Sequence, residues 1–369
     1  MKNRSIWGAV VVFLLALALR LAHLFQMSAN PLFADPTVDA GTYADWATRL
    51  AAGHWLGLKE GPFWQPPLYP YFLGLIKVVF PDSFFYVSRL FQVVMGAFSC
   101  LLLQQIGQRL FTPAVGFIAA VIAALYGPFI YFDARLLPVG LATFFMLSSL
   151  LVLLCSVVHL KKRYLLAAGL LLGLAAITVA SMLVLIPVSL VWIYYQFRAE
   201  LDRQQTLMRC ACVLFGTVLI ITPVSLRNYA IGGDAVLISY NGGINFYIGN
   251  NAEREKTLNV RPGWEWEALV SQPQSEGIMR PSARSQFFFA KAFAYILHEP
   301  LDFTRALIKK ALQFWRGDEI ERNQEIYYWR KYSFILTALL WKWGVAFPFG
   351  LVSPLALMGL LVYIRQRRM

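Results

Sequence analysis

The sequence predicts an all-α polytopic membrane protein of about 8–10 transmembrane helices with two large polar segments on one face. Three observations carry this. Of 369 residues 58% are hydrophobic and only 14% charged, whereas soluble domains carry roughly a quarter of their residues as charges. The mean hydropathy is +0.56. Apolar runs long enough for a crossing recur along the whole chain. A soluble multidomain enzyme is thereby excluded. The formal net charge of +13 does not point to nucleic acid, because Lys and Arg are scattered through short loops, and cytoplasmic loops of membrane proteins collect such charges.

The first apolar run, 6–19, follows Met1-Lys-Asn-Arg4 and has the shape of a secretory signal. Arg20 and His23 interrupt it without a small-residue cleavage site, so an uncleaved helix over 6–25 is expected. Further spans are expected at 84–103, 114–132, 137–158, 164–179, 181–197, 210–226 and 346–364. Two stretches are marginal: 68–80 is short and bounded by prolines, and 332–345 carries Lys342 among tryptophans. If neither crosses, eight helices do, both termini are cytoplasmic, and every short basic cluster falls inside, from Lys2/Arg4 through Arg109, Lys161–Arg163 and Arg198/Arg203/Arg209 to Arg365/Arg367/Arg368. The chain then reads as one transmembrane domain, 1–369, with polar segments 26–66 and 227–331 outside. Cys100, Cys155, Cys210 and Cys212 all lie in apolar runs and read as small core hydrophobes.

In the second polar segment, Val236-Leu-Ile-Ser-Tyr240 and Ile244-Asn-Phe-Tyr-Ile248 flank Asn241-Gly-Gly243, which predicts a β-hairpin. Two amphipathic helices follow. One covers 285–298 and is rich in Phe; the other covers 303–316, with Asp302 as N-cap and Phe303, Leu307, Phe314 and Trp315 opposite Arg305 and Lys309. Such helices lie on a bilayer surface.

The first outer loop reads Asp35-Pro-Thr-Val-Asp39-Ala-Gly-Thr-Tyr43-Ala-Asp45-Trp46, with three carboxylates directly after a membrane helix. A carboxylate at the membrane boundary can deprotonate an acceptor hydroxyl or amine while a lipid-linked donor lies alongside, and partial desolvation raises its basicity. The same residues have a structural use, with Asp39 capping a helix over 40–52 and Asp35 solvated. The loop closes on Trp64-Gln65-Pro-Pro-Leu-Tyr69-Pro-Tyr71, a rigid aromatic return to the membrane. Arg20 and Arg89 lie near the outer ends of their helices, where a guanidinium fork either holds phosphate or snorkels to the interface. Arg227 and Asn228 have the same two readings. Asn241, Asn245, Asn250 and Asn251, with Tyr247, offer amide and phenol groups of the kind that bind sugar hydroxyls, and Asn is also a turn former. Lys309 and Lys310 suit an anionic head group. Asp35, Asp39, Asp45 and Glu60 supply oxygens of the kind a hard divalent cation such as Mg or Mn takes. The sequence contains no Walker motif, dinucleotide fingerprint, His-rich metal site or Ser/His/Asp arrangement, so nucleotide-driven chemistry is not expected.

The short N-terminal helix, the acidic loop ending in Gln65-Pro-Pro-Leu-Tyr-Pro-Tyr-Phe72, and Arg227-Asn-Tyr229 followed by Val236-Leu-Ile-Ser-Tyr-Asn-Gly-Gly-Ile-Asn-Phe-Tyr-Ile-Gly-Asn-Asn251 together resemble the GT-C superfamily of integral-membrane glycosyltransferases. More narrowly they are similar to the bacterial branch related to protein mannosyltransferases and to the lipid A aminoarabinose transferase. The resemblance runs over nearly the whole chain, including Lys310, Trp315 and Glu319. It implies a GT-C-like bundle in a bacterial inner membrane with a periplasmic active face. There a sugar moves, with inversion, from a polyprenyl-phosphate donor to a lipid, protein or glycan acceptor of the cell envelope. The family's Asp four residues before a Tyr-Ala pair falls on Asp39, making Asp39 the expected catalytic residue and Asp35 the alternative. The expected substrate-binding set is Tyr43, Gln65, Tyr69, Arg89, Arg227, Asn228, Asn241, Asn245, Tyr247, Asn250 and Lys310.

Three places depart from the family pattern. Gln65 stands where a basic residue is frequent, Arg135 where an acidic one is frequent, and no basic residue stands near Val179. Two other classes stay open. A flippase or transporter of a lipid-linked saccharide would place ionisable or broken-helix sites near the bilayer midplane. A catalytically silent relative would act as a scaffold for another membrane enzyme.

Overall fold

Long apolar runs surrounded by lipid have no water to satisfy their backbone groups and must fold as helices. A computed structural model, which describes residues 2–58, 60–317, 326–343 and 345–368, shows this. α1 (Lys2–Met27) leads to the extramembrane helix α2 (Val38–Ala51) and to α3 (Leu68–Val79), an apolar helix of 12 residues packed on α2. α4 (Phe84–Leu110) packs on α1 and on α5 (Pro113–Ala124), whose N-terminus is capped by the Thr112 hydroxyl with Pro113 in the first turn. The chain then bends by 58° into α6 (Gly127–Asp133). α7 (Val139–His159), α8 (Lys162–Thr178), α9 (Leu185–Phe197) and α10 (Arg203–Ala230) complete the bundle.

Among the described residues five helices are long and apolar enough to cross a membrane, and the bent α5–α6 pair makes a sixth if it is one span. The spans expected at 164–179 and 346–364 are helices too. α8 is wedged between α7 and α10, and its backbone comes so near α10 that a Cβ on Gly169 would stand 2.2 Å from the Val213 carbonyl oxygen. Small residues at such crossings are how membrane helices gain close packing.

Arg20 neither snorkels nor reaches a polar surface. Its Nε donates to Asp133 Oδ2 at 2.7 Å, with the two side chains 1% and 6% exposed. Its Nη1 reaches the Ala16 and Ala124 carbonyls at 3.3 and 3.5 Å. Ala124 ends α5, so one guanidinium both neutralises Asp133 and reaches a carbonyl at the helix break. Asp133 is wedged so tightly that a Cβ on Gly96 would stand 2.0 Å from its Oδ2.

The segment after Ala230 runs through the non-helical stretch 231–241 and then a series of helices: α11 (Gly242–Gly249), α12 (Arg254–Leu258), α13 (Trp264–Val270), α14 (Gln272–Ser275), α15 (Pro281–His298) and α16 (Pro300–Arg316). The β-hairpin expected over 236–248 is absent. Ile244 and Ile248 lie four apart and pack together against Leu269 and Phe288, so the apolar period is that of a helix face rather than a strand. Asp302 is not the cap of α16, which starts earlier, at Pro300 behind Glu299. Instead its carboxylate accepts from Arg254 Nη1 at 2.9 Å and from the Tyr295 hydroxyl. The chain does contain a small hairpin, elsewhere. After α17 (Phe334–Leu339), β1 (Trp341–Trp343) pairs antiparallel with β2 (Val345–Phe347), and α18 (Phe349–Arg368) follows. The marginal stretch 332–345 is therefore broken into short elements, not one crossing helix.

Candidate active site

Two extramembrane walls are held together by a backbone clasp. The exit of the first loop, 61–65, lies along 236–241: the amides of Tyr240 and Asn241 donate to the carbonyls of Phe63 and Trp64 at 3.1 and 3.2 Å. Asn228, fully buried at the end of α10, binds both strips. Its Oδ1 accepts from the Phe63 amide, and its Nδ2 donates to the Val236 and Ile238 carbonyls, each bond 3.0 Å. Arg227 donates to the carbonyls of Leu56, Gly57 and Gly61 at 2.8–3.0 Å, with its guanidinium 4.1 Å from the centre of the Phe63 ring. Planar forks suit this kind of multiple acceptor. Arg227 and Asn228 are thus committed to architecture.

Between the walls lies a cleft of about 460 Å³, lined on one side by Val38, Asp39, Thr42, Tyr43, Trp64 and Gln65, and on the other by Asn241, Asn245, Ile248, Val260 and Trp266. Its size is in the range of small-molecule sites. Asp39 sits in the first turn of α2, an exposed carboxylate near the positive end of the helix dipole. The N-cap of that helix is Thr37, so Asp39 does not cap it. Val38 beside it holds φ at 55°, a costly conformation for a β-branched residue. Tyr43 is buried one turn on, and burial, with the Asp39 charge second, raises its phenol above the ordinary value. It therefore stays a hydrogen-bond donor at neutral pH. The buried Gln65 Oε1 has no hydrogen-bond partner, an acceptor at the cleft wall with capacity to spare.

Asp39, Tyr43, Gln65, Asn241 and Asn245 are thus brought together, although about 200 residues separate the first from the last. Other members of the expected set lie outside the cleft lining. Tyr69 is fully buried behind Tyr43, ring edge to face at 5.1 Å, and donates to Gln92 Oε1 at 2.7 Å. Arg89 is buried over the Phe33 ring and donates to the Ala134 and Phe85 carbonyls. Lys310 donates to Gly249 O and Asn250 Oδ1 at 2.7 and 2.9 Å, closing the end of α11 and occupying Asn250 as well. Tyr247 faces a neighbouring cleft. Asp35 is exposed, away from the cleft lining, and Glu319 lies outside the described residues. Among the described residues no three His, Cys, Asp or Glu side chains come together as a metal site, and Glu60 faces Arg49 at 3.5 Å.

Sequence reasoning missed the lip formed by Val260, Pro262, Gly263 and Trp266. The signal was present in Arg261-Pro-Gly263, a turn followed by two tryptophans, Trp264 and Trp266.

The family model of dolichyl-phosphate-mannose-protein mannosyltransferase matches residues 64–226. The similarity to that mannosyltransferase family starts at the exit of the first loop and ends within α10. It takes in Gln65 and the helical bundle, and leaves Asp39 and the 241–266 wall outside the match. No curated protein matches the chain.

Proposed function

We propose that the protein is an integral-membrane glycosyltransferase of GT-C type that moves a sugar from a polyprenyl-phosphate donor to a lipid, protein or glycan acceptor on the periplasmic face of a bacterial inner membrane. The observation that carries the reading is the convergence of Asp39, Tyr43, Gln65, Asn241 and Asn245 on one cleft, beside a bundle similar to the mannosyltransferase family. In this reading the Asp39 carboxylate takes the proton of the acceptor hydroxyl as that oxygen bonds to C1 of the sugar from the side opposite the phosphate. The C1–O bond to phosphate breaks, its electron pair leaves with the carrier phosphate, and configuration at C1 inverts. Asp39 is exposed in the structure; substrate filling the cleft would exclude water from it and raise its basicity. The Tyr43 phenol donates to a sugar hydroxyl, with the Asn241 and Asn245 amides opposite. The prenyl chain, lying against the bundle, orients the donor through binding remote from the reacting bond.

The test is sugar release by the purified protein in lipid from a panel of radiolabelled polyprenyl-phosphate sugars, with and without a divalent cation. Release by the parent protein and a loss of about 10²-fold or more in Asp39→Asn, the scale of general-base catalysis, are expected, with unchanged thermal stability. Full activity of that variant removes Asp39 from the role. A transporter reading draws on the 58° break between α5 and α6 and the ion pair buried beside it. It predicts that a deletion strain stops before the lipid-linked sugar is flipped, whereas loss of a transferase leaves flipped donor to accumulate.

A further inference from the structure

A second cleft, of about 760 Å³, adjoins the first. The two share a wall: Val260 lines both, Pro262 and Gly263 turn toward the Asp39 side, and Arg261 and Trp264 toward the other. Gly263 sits at φ 99°, a conformation that lets the ridge reverse direction here. Ile248 and Tyr247, adjacent on α11, divide in the same way.

The carboxylates lining the second cleft are each engaged. Glu255 takes Lys309 Nζ at 2.6 Å, Glu253 takes Lys256 Nζ at 3.3 Å, and Glu265 accepts the Arg261 amide at 2.9 Å. Three groups remain for a ligand, one of them the Arg261 guanidinium, whose side chain has no partner among the described residues. The Trp264 side chain is 77% exposed, and the Tyr247 hydroxyl has no hydrogen-bond partner among the described residues. A flat indole beside a phenol and a guanidinium suits a ligand with an apolar face and a hydroxylated edge, which describes a sugar ring.

We infer that the Trp264 cleft binds a saccharide, the remote portion of an extended glycan acceptor whose reactive hydroxyl crosses the 260–263 ridge to Asp39. The acceptor role rests on the transferase reading above; sugar binding at Trp264 does not.

Mannotriose and chitotriose, titrated separately against the full chain in lipid nanodiscs and read by saturation-transfer NMR, test it. At least one is expected to bind saturably, with affinity falling tenfold or more in Trp264→Ala and returning to within threefold in Trp264→Tyr. Binding of neither sugar overturns the inference, as does parental affinity in Trp264→Ala. A fall in brominated-lipid quenching from the parent protein to Trp264→Phe, measured against the other ten tryptophans, would place the indole in the bilayer and overturn it as well. Asp39-dependent release of donor sugar with no binding at Trp264 leaves the transferase standing and removes the subsite. Binding at Trp264 with no release of donor sugar by the parent protein does the reverse.

Discussion

Replacing Arg20 by Met leaves the Asp133 carboxylate buried beside Gly96 and Gly140 with its cation gone. At 2.7 Å and an effective dielectric constant of about 20, the direct attraction between the two charges is about 6 kcal/mol. The desolvation of both ions opposes it, so the net worth of the intact pair is small. The cost of breaking it is not small. One partner remains desolvated, since the two side chains are 1% and 6% exposed. Each single variant, Arg20→Met or Asp133→Ala, is therefore expected to lose about 3–5 kcal/mol. The double variant has no stranded charge and is expected to be more stable than either single, with a coupling energy of about 3 kcal/mol. Reversible unfolding in mixed micelles of increasing SDS fraction, followed by helical circular dichroism, measures all four corners of the cycle. Additivity within about 0.5 kcal/mol would refute the argument, because it would mean that the two groups do not depend on each other.

Gly243→Ala places a Cβ 2.0 Å from the Ser285 carbonyl; α11 must move off α15, and thermal unfolding should register a loss of about 1–3 kcal/mol. Arg227→Lys keeps the charge but cannot serve the three carbonyls of the 56–61 loop. A loss of about 1.5–3 kcal/mol and faster chymotryptic cleavage at Trp55 are expected. At Asp234, burial alone would raise the carboxyl pKa, but the Ser282 amide and hydroxyl and the Ala235 amide outweigh it and hold it below the ordinary value. A depressed carboxylate contributes stability above its unfolded pKa of about 3.9 and loses it as pH falls through the lower native value. Asp234→Asn should therefore flatten the acid limb of the stability profile below about pH 4.

The bundle was legible because hydropathy dictates helix wherever lipid is the solvent, whereas Asp39 was singled out only by its spacing to Tyr43 and Ala44 in the family resemblance, since an exposed loop carboxylate carries no signal of its own. What failed was partnership. Arg20 and Asp133 are 113 positions apart, and nothing local announces that one answers the other. Arg227 and Asn228 display donors in the sequence, but not that loop carbonyls consume them. The 236–248 string was misread because β-branched residues around Asn-Gly-Gly have strand-like composition, while the spacing of Ile244 and Ile248 carries the helix. Composition favoured one answer and contact with Phe288 decided the other.

The clasp between 63–64 and 240–241 also sets an order of events during synthesis. The wall bearing Asp39 emerges first, yet its opposite wall is made only after α3 to α10 have been synthesised. At translation rates of about 5–20 residues per second that interval is about 10–40 s. For that time the first loop has neither its Asn228 bonds nor its partner strip, and the carboxylate faces open solvent. The cleft thus closes only around a finished bundle, and a nascent chain cannot hold a substrate there before its membrane portion is in place. Chains arrested before 227 should leave the 52–66 loop open to protease, and chains extended beyond 241 should protect it.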